Sequence, residues 1–519
     1  MGGDQVRTVE VVATLSLATD LATGVPLEHG LHSALIARRL AVCLGTDAKT
    51  AQEAFYICLL FSIGCTGTAL TAARVFGADD ALTTYAAPFR FDSPGRRAAG
   101  LARALAPPGE PAWVRAARLA RGVPRLVRAF PEVAATDCDV AQMLFGRLAL
   151  PPDLTPMFVH IDDRWDGKGL PRRARGEAIP PSMRIAHVAR DAAFQYMLAG
   201  PDFAVRVIRS RAGGAFDPNV AESLSSRSRE ILSWDPQGSM WPEILDAEPA
   251  PQRLLVDGAI DEALGAMGDF ADLVSPFLLG HSAGVARLAG HAARLSGLEE
   301  SETRALRRAA LVHDLGRVTV PARVWEVRGR LPPDDWERVR LHAYHTERIL
   351  SRSAFLSSLA PTAALHHERL DGSGYHRGCL ASAISFPARV LAAADRYHAL
   401  TEPRAHREAL SPEKAGERLA AQASSGRHDA DAVAAVLKAT GQPVPHIERP
   451  ASLTAREREV VTLLARGLQT KQVARVLGVS TKTADTHIQH AYRKIGVSTR
   501  AGAALFAVQH GLIAQENSR

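Results

Sequence analysis

The stretch TAREREVVTLLARGLQTKQVARVLGVSTKTADTHIQHAYRKI, residues 454–495, decides how the end of this chain is read. Thr454 with Glu457 three residues later makes a capping box, and Val460, Leu463 and Leu464 supply one apolar face to the helix it opens. Gly467 suits a left-handed C-terminal cap. A short second helix over about 470–477 ends at Gly478, which permits a tight turn, and Ser480 caps a third helix over about 481–495. That third helix buries Ile488, Ala491, Tyr492 and Ile495, and turns Lys482, Asp485, Thr486, Gln489 and Arg493 outward. A last helix is predicted from about 499 to 510. Helix, short helix, tight turn and then a helix with exposed polar and basic positions is the geometry that enters a DNA major groove.

Charge agrees with that partner. The chain carries +7 in all, and residues 452–519 hold ten Lys/Arg against four acids, so +6 of it sits in the last eighth. A basic surface so concentrated suits a polyanion. Upstream, Gly441, Pro443, Pro445 and Pro450 mark an extended linker over 441–451. At 519 residues the chain exceeds one hydrophobic core, and 46% hydrophobic with 23% charged residues is the composition of a globular protein, not a disordered one. The first twenty residues lack a basic leader followed by an apolar run, so no signal peptide is expected. Residues 54–73 carry no charge but include Ser62, Gly64, Thr66, Gly67, Thr68 and Thr71; they read as a buried helix running into a loop, not a membrane span. Cysteines 43, 58, 65, 138 and 379 form no CxxC pair, which suits reduced thiols and a cytoplasmic location without membrane attachment.

The end of the chain resembles the LuxR-type DNA-binding domain. The likeness is carried by Leu453, Thr454, Arg456, Glu457, Glu459 and Val460, by Ala465 and Gly467, and by Val473, Ala474, Leu477, Gly478, Val479 and Ser480. Thr483, His487, Lys494, Ile495, Gly496, Val497 and Arg500 continue it, and Ala484 departs from the family's usual Val. The resemblance implies that Asp485, Thr486 and Gln489 face base edges, and that Lys482, Arg493 and Lys494 meet phosphates, with Thr483 beside them on the same helix.

A repeat lies in the first 440 residues. At an offset of 252, Asp20 and Leu21 match Asp272 and Leu273, His29 matches His281, Gly45 matches Gly297 and Gly64 matches Gly316. At an offset of 205, Leu144 matches Ile349, Ile179 matches Ile384 and Arg184 matches Arg389, while Asp166, Gly167 and Gly169 match Asp371, Gly372 and Gly374. One helical fold used twice is expected, with about 47 extra residues in the first copy, including a Pro/Arg/Ala-rich segment over 88–124. Residues 1–234 form the first copy, 235–252 a joining stretch, 253–440 the second copy, 441–451 the linker and 452–519 the DNA-binding unit. The fold class is all-α.

The second copy holds His281, His313, Asp314, His342, His366, His367 and Asp395 on separate predicted helices. Imidazoles and carboxylates together suit Fe, Mn or Zn, and one carboxylate can bridge two cations. Two metals lower the pKa of a bridging water and clamp an in-line phosphoryl displacement.

Over about 257–437 this copy resembles the HD-GYP branch of the HD phosphohydrolases. The resemblance rests on His313-Asp314-Leu315-Gly316-Arg317 and on His366-His367-Glu368-Arg369-Leu370-Asp371-Gly372-Ser373-Gly374-Tyr375. It implies two divalent ions, Fe or Mn, held by His281, His313, His342, His366, His367 and Asp395 and bridged by Asp314. It also implies phosphodiesterase action on cyclic di-GMP or a related cyclic dinucleotide, with Asp314 and Arg317 catalytic. Arg317 stands where the family has Lys, His376 where it has Pro, and Phe277 where members with a third metal have Glu. In the first copy the His-Asp pair has become Phe61-Ser62, and Asp137, Ile161, Asp162 and Arg190 stand at the other ligand positions, so a degenerate copy that packs, dimerises or senses is expected. A homodimer bound to double-stranded DNA is the expected assembly. The residues leave two readings open: a regulator carrying a phosphohydrolase, or a ligand-sensing regulator whose helical copies do not cleave.

Overall fold

The computed structural model describes residues 4–77, 81–169, 174–234, 238–445, 447, 453–509 and 512; the side chains of 130, 132, 134, 137, 138, 455 and 509 lie outside that description. Among the described residues, helices dominate and two short strands, Gln5–Arg7 and Leu254–Val256, form one antiparallel pair with Val6 opposite Leu255. The repeat is physical. Helices His29–Cys43, Ala48–Leu60 and Pro181–Ala199 recur as His281–Leu295, Glu300–Val312 and Phe386–Thr401 at the offsets read from sequence. In each copy these three helices pack on one another. Even the entry to the first helix repeats: Glu28 (φ 70°) and Gly280 (φ 78°) both take the left-handed conformation just before the matched histidine.

Local chemistry sets these boundaries. Asp47 accepts from the Thr50 amide at 2.7 Å to start one helix, and a reciprocal Glu299–Glu302 capping box starts its counterpart. Alanine dominates the faces that meet, so the helices approach closely. The second copy's core is Val285, Ala289, Leu306, Val390, Leu391, Ala394, Leu419, Val433 and Val436.

The chain falls into two compact units. One comprises residues 1–276 with 318–325 and 352–356; the other comprises 277–317, 326–351 and 357–519. Several segments are more ordered than their composition suggests. The insertion in the first copy folds into Pro94–Leu105 and the 34-residue helix Ala112–Phe145, which continues through Pro124 and Pro131. The joining stretch contains a helix, Met240–Asp246, that buries Met240, Trp241 and Ile244. The uncharged stretch 54–73 runs from the buried helix Ala48–Leu60 into a second helix, Cys65–Phe76, where a loop was expected. Among the described residues no single helix is long and apolar enough to cross a membrane; these two pass that test only as a pair bent by 41°.

The terminal unit has helices Ala455–Ala465, Thr470–Leu477, Thr481–Ile495 and Arg500–Gln509. The capping box is formed, with the Thr454 amide on Glu457 at 2.8 Å and the Glu457 amide on the Thr454 hydroxyl at 3.2 Å. Gly467 (φ 93°) and Gly478 (φ 64°) take left-handed conformations at the two turns. Ala484, Ile488 and Ala491 are the buried positions of the third helix, while Tyr492 and Ile495 are half-buried. Cys58 is a buried thiol, Cys43, Cys65 and Cys379 are half-buried thiols, none of them in a disulfide, and the Cys138 side chain lies outside the described residues.

Candidate metal centre and nucleic-acid interface

Three histidines of the second unit, His342 within a helix and His313 and His366 in the turns that follow helices, share one orientation. The Nδ1 of His313 lies 2.7 Å from the Ala310 carbonyl, that of His366 2.6 Å from the Ala363 carbonyl, and that of His342 bonds the Val339 carbonyl. A carbonyl can only accept, so each Nδ1 carries a proton and each Nε2 is the ring atom turned to the shared space. Those Nε2 atoms converge on Asp314, at 3.0 Å from His313, 3.2 Å from His342, 3.3 Å from His366 and 3.5 Å from His281. Asp395 faces the same space, 3.1 Å from His281 Nε2 and 3.4 Å from His367 Nδ1.

Gly316 makes this convergence possible. A Cβ on it would lie 2.0 Å from the His342 carbonyl and 2.6 Å from the Thr346 amide. Only glycine lets the His313–Arg317 turn approach the helix Pro333–Leu350 so closely. The Thr346 hydroxyl fastens that approach, accepting from Gly316 N at 2.8 Å and donating to the His313 carbonyl at 3.0 Å.

The donor set fits metal ions. His313, Asp314 and His366 are at most 1% exposed, yet neither Asp314 oxygen nor His313 Nε2 has a hydrogen bond of good geometry. His342 and His366 face each other Nε2 to Nε2 at 3.1 Å, close enough to share one cation. Two ligand groups emerge, Asp314 with His342, His366 and His367, and Asp314 with His281 and His313; Asp314 belongs to both. Electrostatics polarises the set. Burial opposes the charged forms, but Asp314 holds His313 up at about 10, while Arg317 and His313 hold Asp314 well below the carboxylate range. Burial pushes His342 down to about 4 and His367 well below its usual value.

Every residue expected at the metal centre from sequence is in this cluster. Arg317 is placed differently from the expectation of a cation offered to substrate. It is 6% exposed, and its Nη1 lies 2.7 Å from Asp314 Oδ2. Three neighbours escaped the sequence reading. Glu402 lies 2.8 Å from His281 Nδ1 and 3.2 Å from His398 Nδ1, and the Tyr375 ring lies 4.3 Å from that of His367. Sequence spacing did not mark Glu402, because it lies just past the helix Phe386–Thr401 at an extended C-cap (φ -105°, ψ 146°) and follows no helical face.

The first copy shows what replaces the ligands. Arg190 donates to the Ser62 hydroxyl at 2.7 Å and stacks over the Phe61 ring at 4.2 Å, and its burial pulls its pKa down to about 10. The Ile161 carbonyl bonds His187 at 3.1 Å, and Asp162 pairs with Arg90 at 2.8 Å. The Asp137 side chain lies outside the described residues. A guanidinium thus occupies the place where the second copy offers Asp395.

In the terminal unit Lys482, Thr483, Asp485, Thr486, Gln489, Arg493 and Lys494 are all exposed along the third helix. Three are already engaged, the Thr486 hydroxyl donating to the Lys482 carbonyl at 3.0 Å. Lys494 Nζ pairs with Glu457 at 2.6 Å, tying the third helix to the cap of the first, and the Thr483 hydroxyl lies 2.8 Å from that of Ser480. The opposite side of this unit docks on its own polypeptide. Glu459, 3% exposed, accepts from the Ser382 amide at 3.3 Å and from its hydroxyl; Arg466 donates to the Asp371 carbonyl, and Leu380 packs against Val460, Leu463 and Leu464.

Comparisons with known proteins find two families in the chain. The family model described as HD domain matches residues 266–432, and that of the bacterial regulatory proteins of the luxR family matches 451–507. The 3'3'-cGAMP-specific phosphodiesterase 3 of Vibrio cholerae is 28% identical over 414 residues, 78% of this chain and 89% of that protein. The cyclic di-GMP phosphodiesterase response regulator RpfG of Xanthomonas campestris is 36% identical over 140 residues, 27% of this chain and 37% of that protein. The crystal structure of the cyclic GMP-AMP phosphodiesterase V-cGAP3 of V. cholerae overlays with a TM-score of 0.58 at 23% identity, covering 84% of this chain and 98% of that one. That last likeness is one of fold, and it extends over both helical copies.

Proposed function

Because the chain joins an HD domain to a LuxR-type DNA-binding domain in one polypeptide, we propose that it is a cytoplasmic transcription regulator whose second helical copy is a dinuclear metal phosphodiesterase acting on a cyclic dinucleotide. The observation that carries the enzyme half is the convergence of four imidazole Nε2 atoms on one buried carboxylate whose oxygens lack hydrogen bonds.

Asp314 would be shared by two metal sites, one completed by His281, His313 and Asp395 and the other by His342, His366 and His367. A pair of Mn or Fe ions held there would supply an activated water for in-line displacement at a phosphodiester. The residues around them orient the ligands. Arg317 neutralises Asp314 from the side and fixes its rotamer through the 2.7 Å contact. Tyr375, half-buried and pushed up to about 12 by desolvation, stays a neutral phenol stacked against His367. Relatives named for 3'3'-cGAMP and for cyclic di-GMP support a cyclic dinucleotide as substrate.

The DNA half rests on the exposed third helix. Phosphates would be met by Lys482 and Arg493, base edges by Asp485, Thr486 and Gln489, with Thr483 and Lys494 holding the helix in position. A dimer would present two such helices to a pair of half-sites.

The test is direct. Protein loaded with Mn(II) or Fe(II) is expected to linearise 3'3'-cGAMP or cyclic di-GMP and to retard promoter fragments at low salt. His313→Ala with Asp314→Ala should abolish turnover while leaving the gel shift. No product from any cyclic dinucleotide by metal-replete protein removes the enzyme half, and no retention on genomic fragments removes the regulator half.

A further inference from the structure

His281 differs from its fellow ligands in one structural respect. His313, His342 and His366 each rest Nδ1 on the carbonyl three residues earlier. His281 is the first residue of its helix, entered through Gly280 at φ 78°, and the carbonyl three residues earlier, Leu278 O, accepts from the His281 amide instead. With that carbonyl turned to the backbone, the ring needs an acceptor from elsewhere. Glu402 supplies it, with Oε2 at 2.8 Å from Nδ1. The carboxylate is itself held by Arg404 Nη2 at 2.7 Å, and its other oxygen lies 3.2 Å from His398 Nδ1. His398 in turn is locked against helix His281–Leu295, since a Cβ on Gly284 would lie 1.9 Å from its Nε2.

The first copy is an internal control. An offset of 205 places Met197 at the position of Glu402. There the matched His29 has turned over: its Nε2 bonds the Arg190 carbonyl at 3.1 Å, so Nε2 carries the proton, and Nδ1 has no partner among the described residues. The copy without the carboxylate thus holds its histidine in the tautomer that cannot present Nε2 to a metal.

We propose that Glu402 is the positioning residue for His281, fixing its tautomer and strengthening it as a donor, so that the metal site of His281, His313, Asp314 and Asp395 depends on Glu402 while the site of His342, His366 and His367 does not. A full negative charge behind an imidazole raises its basicity more than a neutral carbonyl does. Among the imidazoles of the centre that rest Nδ1 on an acceptor, His281 is the one whose acceptor is a carboxylate. The competing arrangement is a third metal held between His281, His398 and Glu402, whose donor atoms are mutually close. It would require both ring nitrogens of His281 to be proton-free, with the Arg404 guanidinium 2.7 Å from the same carboxylate oxygen.

This inference rests on the dinuclear reading, and the test separates the two. Mn(II) is titrated into metal-stripped full-length wild type, Glu402→Gln and Glu402→Ala, with bound metal read by elemental analysis at each free concentration. Wild type should take two ions. Glu402→Gln, whose amide oxygen still accepts from Nδ1 but without charge, should weaken one step by roughly 10-fold, and Glu402→Ala by roughly 100-fold, with the other step moving less than about 3-fold. Equal weakening of both steps, or no change in either, overturns the assignment while leaving the dinuclear centre standing. Three ions in wild type falling to two in Glu402→Gln would make Glu402 a ligand and overturn it as well. No binding by wild type would sink the dinuclear reading itself. Circular dichroism of the near-isosteric Gln variant checks that the fold is kept.

Discussion

Asp20 begins the first copy's pattern and is 4% exposed, with Oδ2 accepting from the Gly30 amide at 3.2 Å. Burial raises its pKa to about 7, against the Gly30 hydrogen bond and the Arg190 charge. The folded protein therefore holds a proton that the unfolded chain releases near pH 4. Between about pH 4 and 7 the unfolded state binds fewer protons, so stability from this group is fully present at the acid end and is lost as pH rises through 7. Asp20→Asn removes the buried charge but keeps an acceptor for Gly30. It should stabilise the protein at pH 8 by up to about 4 kcal/mol and change little at pH 4. Thermal melts of both proteins across that range check it, and an equal Tm difference at both ends would reject burial as the cause. The match of Asp20 with Asp272 was visible in the sequence. Its shift was not, because desolvation depends on neighbours from distant segments. Glu402 was missed for a related reason: a carboxylate seven residues beyond a ligand means nothing until the facing histidine lacks its own carbonyl.

At the scale of elements, Gly316 and the third helix of the terminal unit carry the sharpest expectations. Gly316→Ala would drive a methyl into the backbone of helix Pro333–Leu350, with its nearest atoms at 2.0 and 2.6 Å. The turn must withdraw, separating Asp314 from His342 and His366. Stability should fall by about 3 kcal/mol or more, as for a rigid clash, and Mn(II) retention should fall with it. A variant that melts like wild type and keeps its metal would show that the turn has slack. On the third helix, Lys482→Ala and Arg493→Ala should weaken binding to all DNA sequences alike and lower the salt slope by about 1 per lost contact. Thr486→Ala and Gln489→Ala should instead relax site preference by about 1–3 kcal/mol per base. Quantitative footprints over a salt series distinguish the two classes, and identical behaviour would undo the assignment of that face. This helix was legible almost residue by residue, because caps, turn glycines and periodicity are all local. The Ala112–Phe145 helix was not. Its prolines argued for interruption, and tertiary packing against residues such as Leu105 overrode them.

On the scale of the whole chain, the turn Asp371–Tyr375 has the metal centre on one flank and the DNA-binding unit on the other. Tyr375 stacks on His367 at 4.3 Å, and Ser373 N is fastened to Asp371 Oδ1 at 2.9 Å. The Asp371 carbonyl receives Arg466, and a Cβ on Gly372 would lie 2.6 Å from that guanidinium. Ten residues on, Ser382 meets the buried carboxylate of Glu459, which Arg456 holds at 3.0 Å. None of these contacts uses the exposed face of the third helix, so docking and DNA contact are compatible in one chain. A turn pinned at both flanks should open as a unit. Metal loading fixes His367 and hence Tyr375, so in wild type it should slow amide exchange across 370–382 and also in the helix Ala455–Ala465. With Arg466→Ala and Glu459→Ala together, slowing should persist near the metal but vanish from the helix. Mass-spectrometric exchange with and without Mn(II) reads both segments in one experiment. Protection that reaches the helix equally in the double variant would mean that the linker or the apolar contact at Leu380 carries the coupling, and the polar pair would lose its role. Loss of protection in both segments of the variant would mean that the docked helix supports the metal centre itself, a dependence that the HD-like sequence pattern gives no reason to expect.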